Sequence, residues 1–317
     1  MRKKQFLSFF LVAALMLTSC VAQDAPPEKE LHEGSIIQEY GYSHELTSID
    51  VLSEELVFSG QPITFDYTFE NGNTAANFGM LLFLNGVLQP FDLDNSGQDD
   101  HIKYMQIEAN SEKSISLSFT PITGSTGDQL PLHIVVIFDA MKTIETPTIA
   151  LPFYESISQT CPATVSFNVD APSSEHHFVS SSLKMVNETY TTMDEAPTSS
   201  SLDIVGISTV EEIMSSSIRP GVSFDIALLP NRETETAYNI YAFLNHTPLM
   251  WMNDAYLTKS ILPNHRCLLN IVIDDVPENA TTSENNEIFF LAVPLHDSSV
   301  KANVTAVKTK TVTFENP

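Results

Sequence analysis

The residues best suited to chemistry fall in one short run, Asp92-Leu93-Asp94-Asn95-Ser96-Gly97-Gln98-Asp99-Asp100. Counted from Asp92, side-chain oxygens stand at positions 1, 3, 5 and 9, and a glycine stands at position 6. A hard cation such as calcium takes about 6–8 oxygen ligands, and glycine in the middle of the run permits the sharp turn that gathers them. Asp92, Asp94, Ser96 and Asp100 are therefore the candidate calcium ligands, with Asp99 beside them. Position 12 is Lys103, where a bidentate carboxylate would complete the shell, and the flanking residues have the alternation of strands rather than helices. The same run also reads as an acidic hairpin loop, and Lys103 weighs toward that reading. Elsewhere the chain offers little. It has no HExxH, no GxSxG and no phosphate-cradling glycine loop, and its one histidine cluster, Glu175-His176-His177, lies in a polar stretch. Adjacent carboxylates such as Asp99/Asp100 and Asp274/Asp275 point to opposite faces of a strand, so neither pair makes a catalytic dyad by itself. No catalytic residue is nominated, and the chain reads as a protein other than an enzyme. Trp251, the single tryptophan, is flanked by Met250 and Met252. It reads either as core packing or as a platform for a sugar ring or an apolar partner.

The oxygen spacing of residues 92–100 resembles a calcium loop of the EF-hand or dockerin kind over nine residues, then departs from it at Lys103. A second resemblance covers the start of the chain. Arg2, Lys3 and Lys4 precede an apolar run from Phe6 to Leu17, shorter than the roughly 20 residues of a membrane span. The run ends in Leu17-Thr18-Ser19-Cys20, which resembles the lipobox of bacterial lipoproteins. That resemblance implies a leader over residues 1–19 cleaved before Cys20, whose thiol carries a diacylglyceryl group with acyl chains such as palmitate. The implied partner of Cys20 is the lipid bilayer, and the implied location is extracytoplasmic. Val21 follows the cysteine where the Gram-negative inner-membrane signal has Asp, so a Gram-positive membrane surface fits first and an outer membrane second.

The chain carries 40 acidic and 15 basic residues, a net charge of −25. Removal of Arg2, Lys3 and Lys4 leaves 12 bases, and 12 − 40 gives −28. Such a charge repels nucleic acid and anionic headgroups, so the lipid and not a basic patch is what holds the protein at a membrane. Two acyl chains suffice where one does not. With Cys20 assigned to lipid, Cys161 and Cys267 remain, either bridged or as two buried thiols; no metal-ligand cysteine spacing exists.

The elements that position these residues are written twice. Phe83-Leu84-Asn85 and Phe243-Leu244-Asn245 correspond at an offset of 160, with Phe91 on Trp251 and Asp94 on Asp254. Ser48 answers Ser201, Phe65 answers Phe224, Leu132 answers Ile288 and Thr164 answers Thr311, at offsets of 153, 159, 156 and 147. Loops of differing length between strands of fixed length produce such drift, and internal repetition of this size indicates duplicated domains. Ile63, Phe65, Tyr67 and Phe69 alternate with polar residues, as do Ile115, Leu117 and Phe119, the period of half-buried strands. Asn71-Gly72, Asn85-Gly86 and Ser59-Gly60 supply turns at sandwich-like intervals, while "STVEEIMSS" around Val210 to Met214 suits only a turn or two of helix.

The expected fold class is all-β, two tandem immunoglobulin-like β-sandwich domains after a signal peptide and flexible tether. Residues 1–19 are the leader, 20–45 the lipidated cysteine and tether, 46–170 the first sandwich, 171–200 a Ser/Thr and acidic linker, and 201–317 the second sandwich. Within the linker, "HHFVSSSLKMV" has the composition to add a strand to the second domain. The expected function is a membrane-anchored binding, adhesion or spacer module facing a surface protein or glycan. The alternative is an extracytoplasmic carbohydrate-active enzyme or accessory protein that uses calcium at residues 92–100.

Overall fold

Period-two segments with one apolar row cannot bury that row alone, and here they do so by pairing into sheets that face one another. A computed structural model of the chain describes residues 43–46, 55–72, 75–138, 140, 157–172, 178–180, 185–189, 201–204, 217–229, 235–250, 256–261, 265–273, 286–295 and 306–315. Every element among them is a strand. The first half forms β1 (Ser43–Leu46), β2 (Glu55–Phe58), β3 (Ile63–Asn71), β4 (Ala76–Leu84), β5 (Val87–Gln89), β6 (Asp92–Leu93), β7 (Lys103–Ile107), β8 (Ser111–Phe119), β9 (Gln129–Phe138) and β10 (Ile157–Phe167). Residues 178–189 form β11 (Phe178–Ser180) and β12 (Met185–Thr189). The remainder forms β13 (Ser201–Ile204), β14 (Ser217–Ile218), β15 (Phe224–Leu229), β16 (Thr236–Leu244), β17 (Thr247–Leu249), β18 (Tyr256–Ile261), β19 (His265–Ile271), β20 (Asn286–Pro294), β21 (Val307–Lys308) and β22 (Val312–Phe314).

The first sandwich stacks a sheet of order β1-β3-β8-β6 on one of order β2-β10-β9-β4-β5, with β7 also paired to β4. The second stacks β12-β19-β15-β13 on β11-β18-β16-β20-β22-β14, with β17 on β16 and β21 on β20. In both, a short early strand runs parallel to the last one, with Phe58 opposite Phe167 in β2/β10 and Ile218 opposite Phe314 in β14/β22. The architecture is therefore two immunoglobulin-like sandwiches. β11 and β12, within residues 171–200, add an edge strand to each sheet of the second. Residues 48–51 and the "STVEEIMSS" segment lie outside the described residues.

Each sandwich has its own core. In the first, Phe65, Tyr67 and Phe69 of β3 and Leu117 and Phe119 of β8 meet Phe78, Met80, Leu82 and Leu84 of β4 and Ile134 and Val136 of β9. The outward row of β3 and β8 is polar, with Thr64 opposite Ser118 and Asp66 opposite Ser116, so these strands alternate. β4 and β9 do not alternate, because both their faces are covered. Their other rows, Leu81, Phe83, Val135 and Ile137, pack with Tyr241 and Phe243 of β16 and Phe289, Leu291 and Val293 of β20 in a third buried cluster. An antiparallel sheet with one face in water shows clean alternation; an uninterrupted apolar run marks a sheet buried on both sides. The runs "GMLLFL" and "IFFLAV" are explained by that third cluster. The two sandwiches are thus joined sheet to sheet.

Candidate functional site

Residues 92–100 form the crossing between the two sheets of the first sandwich. The chain leaves the β4–β5 hairpin, buries Phe91 in the core, and enters β6, which pairs with β8 in the opposite sheet. It then turns back to β7 beside β4. Phe91 and Asp100 exchange two backbone hydrogen bonds, of 3.0 and 3.1 Å, which close the base of the loop. Asp94 and Asn95 are both left-handed, with φ of 54° and 55°, a conformation that short polar side chains tolerate better than most.

The Asp92 carboxylate is the hub. One oxygen accepts the Ser96 amide at 3.1 Å and also the Ser96 hydroxyl; the other accepts the Gly97 amide at 2.8 Å. The Ser96 hydroxyl, then the surrounding backbone amides, hold the Asp92 carboxyl below the usual aspartate range against the opposing effect of burial. Asp94 docks on β8: its amide donates to Ser116 O at 2.7 Å, and its carboxylate accepts the Ser116 amide at 2.9 Å. Asp100 pairs with the Lys103 ammonium at 2.7 Å, and the same ammonium donates to the Gln98 carbonyl at 2.6 Å. Of the four candidate ligands, the structure brings Asp92 and Ser96 together and directs Asp94 and Asp100 to separate partners. Lys103, at the place where a twelfth-position carboxylate would stand, puts a cation of the chain's own into the loop. Among the described residues no group of three or more His, Cys, Asp or Glu side chains is placed to hold a metal ion.

The other sequence candidates are placed as follows. Cys20, Trp251 and the Glu175-His176-His177 cluster lie outside the described residues. Phe91, which corresponds to Trp251, is fully buried. Cys267 is a buried free thiol, pushed up to about 11 by burial.

The joined face holds polar groups that sequence reading missed. The Tyr241 hydroxyl donates to Gly86 O at 2.7 Å and accepts the Leu88 amide at 3.0 Å; Asn239 Nδ2 donates to the same Gly86 O at 2.9 Å. Thr258 in turn donates to Asn239 Oδ1 at 2.7 Å, fixing the carboxamide. Burial pushes the Tyr241 phenol far above its ordinary range, and the Tyr256 phenol, 4.8 Å from it ring to ring, up to about 12. Gly86 sits at φ +74°, and a Cβ there would stand 2.7 Å from Leu295 Cδ2 and 3.2 Å from Pro294 O. The corresponding turn of the second sandwich, Asn245-His246, has φ of 48° and 63°, and the His246 ring stands edge-on to Tyr104 at 5.2 Å. Each hairpin tip therefore touches the other sandwich. At the far side of the face, Gln159 of β10 spans from His133 of β9 to the Ala306 amide of the second sandwich. The available signal for this face was the pair of uninterrupted apolar runs.

No family model matches the chain, and no characterised protein matches it in sequence. Among solved structures it is similar to the Pseudomonas aeruginosa CupB2 chaperone, at 8% identity over 82% of this chain and 96% of that one, with a TM-score of 0.23. It is also similar to fibronectin(III)-like modules of Clostridium thermocellum CbhA, at 10% identity over 86% and 94%, TM-score 0.20. For the cupredoxin domain of amoB from Nitrosocaldus yellowstonii the figures are 11% identity and a TM-score of 0.24; the match covers 37% of this chain and 64% of that one, under two thirds of its length. Likeness at this level speaks to no activity and no partner.

Proposed function

We propose that this protein is a non-enzymatic binding, adhesion or spacer module, held on the extracytoplasmic membrane surface by lipid at Cys20. The observation that carries the reading is the buried cluster between the sandwiches, in which Phe83, Tyr241, Phe243 and Phe289 pack the two sheets against each other. A spacer or presenting module needs its loops held in a fixed relation, and joining two sandwiches along a broad apolar face supplies that. The 92–100 loop supports the same reading, since its carboxylates are engaged by Ser96, Gly97, Ser116 and Lys103. The Leu17-Thr18-Ser19-Cys20 run supports the anchor. The sheet face of β3 and β8, with its hydroxyls and carboxylates, is a hydrated surface suited to polar partners such as a glycan or a surface protein.

The test is proximity crosslinking of the full-length protein on intact cells, compared with Cys20→Ala, followed by mass spectrometry and a glycan-retention assay. A reproducible protein neighbour or retained glycan that depends on Cys20 supports the reading. Turnover of a glycan substrate that disappears in Asp92→Asn or Asp94→Asn would overturn it in favour of the carbohydrate-active alternative.

A further inference from the structure

The two sandwiches meet through the same patch. Strand pairing fixes the correspondence: Phe83 lies opposite Leu88 and His133, as Phe243 lies opposite Pro248 and Phe289. Likewise Gly79 lies between Ile137 and Tyr104, as Asn239 lies between Val293 and Thr258. By that correspondence Leu81, Phe83, Val135 and Ile137 match Tyr241, Phe243, Leu291 and Val293, and all of them lie in the cluster that joins the halves. The contacts are reciprocal as well. The Gly86 tip lies on Asn239 and Tyr241. Its counterpart His246 lies on Tyr104, whose ring would stand 3.1 Å from a Cβ at Gly79, the counterpart of Asn239. A patch that packs on its own copy with reciprocal contacts is the geometry of a two-fold interface between identical subunits.

Such a patch is also suited to pairing like with like between two copies of the chain, so something must choose. We propose that the hairpin tips and the strand positions beneath them make the choice, confining the pairing to the two halves of one chain. One end of the face sets a small tip on a large, hydrogen-bonding strand; the other sets a large tip on a small strand. At the first end Gly86 O accepts from Asn239 Nδ2 and from the Tyr241 hydroxyl, which accepts the Leu88 amide. A Cβ at Gly86 would meet Leu295 Cδ2 at 2.7 Å, so this end has no room for a side chain. At the second end the His246 ring rests against Tyr104, beside a strand that carries only Gly79 and Leu81 at the matching places.

Both like-with-like pairings break these matches. Two first sandwiches would set each Gly86 carbonyl and Leu88 amide against Gly79 and Leu81, whose side chains offer neither donor nor acceptor, and buried backbone groups would lose their partners. Two second sandwiches would drive each His246 side chain toward Asn239 and Leu295, where even a Cβ is crowded. They would also offer Tyr241 a Pro248 in place of Leu88, with no N–H to donate. Only the pairing of unlike halves satisfies both ends, and specificity of this kind rests on what the wrong partner would bury unpaired or overlap.

The experiment exchanges the tips in the full-length chain: Gly86→His and Leu88→Pro together with His246→Gly and Pro248→Leu. The backbone permits it, since φ is +74° at Gly86 and 63° at His246. Each sandwich then carries the tip that suits its own strand. The exchanged chain is expected to pair with a second copy, so that its mass in sedimentation is about twice that of the wild type. A smaller cycle is read from urea midpoints and does not need the exchanged chain to fold. Gly86→His alone should lower the midpoint. Adding Asn239→Gly, Tyr241→Leu and Leu295→Ala should do less further harm than those three changes do in the wild type, because the histidine then rests on a strand like the one beneath His246. A folded exchanged chain with the wild-type mass would overturn the proposal, and so would losses in the cycle that simply add.

Discussion

Gly86 and Asp92 show how single residues carry two quite different loads. At Gly86 the left-handed backbone and the nearness of Leu295 and Pro294 act together. Alanine there meets both an unfavourable φ and a 2.7 Å approach to Leu295 Cδ2. Gly86→Ala is therefore expected to lower stability by about 2–3 kcal/mol, read from urea denaturation midpoints. The same change at Gly97, also left-handed but with open space around its Cβ position, should cost only the backbone penalty of about 1 kcal/mol. Asp92 acts through charge. Its pKa is lowered in the folded protein, so its contribution is complete above the ordinary aspartate range, about 4, and disappears as pH falls through the lower folded value. Amide exchange at Ser96 and Gly97 is expected to quicken over that acid interval in the wild type. In Asp92→Asn those amides should exchange faster at neutral pH and lose the acid step, since one carboxamide oxygen replaces two carboxylate oxygens.

Adjacent residues of one strand serve different cores. Leu82 faces the interior of the first sandwich, while Phe83 faces the second sandwich and lies 5.5 Å from the Tyr241 ring. Leu82→Ala is expected to cost about 2–5 kcal/mol and Phe83→Ala about 3–5 kcal/mol. The distinguishing result is the shape of the transition: Leu82→Ala should weaken one sandwich selectively, whereas Phe83→Ala should uncouple the two halves, with far-UV circular dichroism and Tyr fluorescence no longer coincident in urea. The strands themselves were legible, because Ile63, Phe65, Tyr67 and Phe69 alternate with polar residues and each Asn-Gly pair marks a turn. Phe91, fully buried, takes the core-packing side of the two readings that the sequence left open at its counterpart Trp251. The joined face was the harder part to read: a run such as Leu81-Leu82-Phe83-Leu84 in β4 shows that both sides of a strand are covered, but not by what. The 92–100 loop was half legible. Oxygen spacing shows where acceptors occur along the chain, but not that the amides of Ser96, Gly97 and Ser116 and the ammonium of Lys103 reach them. Tyr241, Asn239 and Gln159 carried no local signal for the joined face, since the groups they reach across it, Gly86, Leu88 and Ala306, lie more than a hundred residues away.

Across the whole molecule, charge and burial oppose one another. With 40 acidic residues against 15 basic, self-repulsion destabilises the folded chain at neutral pH. Raising ionic strength from roughly 0.05 to 0.5 M shortens the reach of that repulsion. Melting temperature is expected to rise over this range, and a fall would mean that specific pairs such as Arg219–Glu315 outweigh the net charge. The parallel pairings β2/β10 and β14/β22 also have a consequence for the order in which the molecule is made. The first sandwich has all its strands once Phe167 is available, whereas β16 and β20, which cover Leu81, Phe83, Val135 and Ile137, are completed only roughly 80 and 130 residues later. At ribosomal rates of about 5–20 residues per second, that interval is on the order of ten seconds. During it the newborn first sandwich carries a bare apolar sheet, so biogenesis is the stage at which this protein most needs a chaperone's cover.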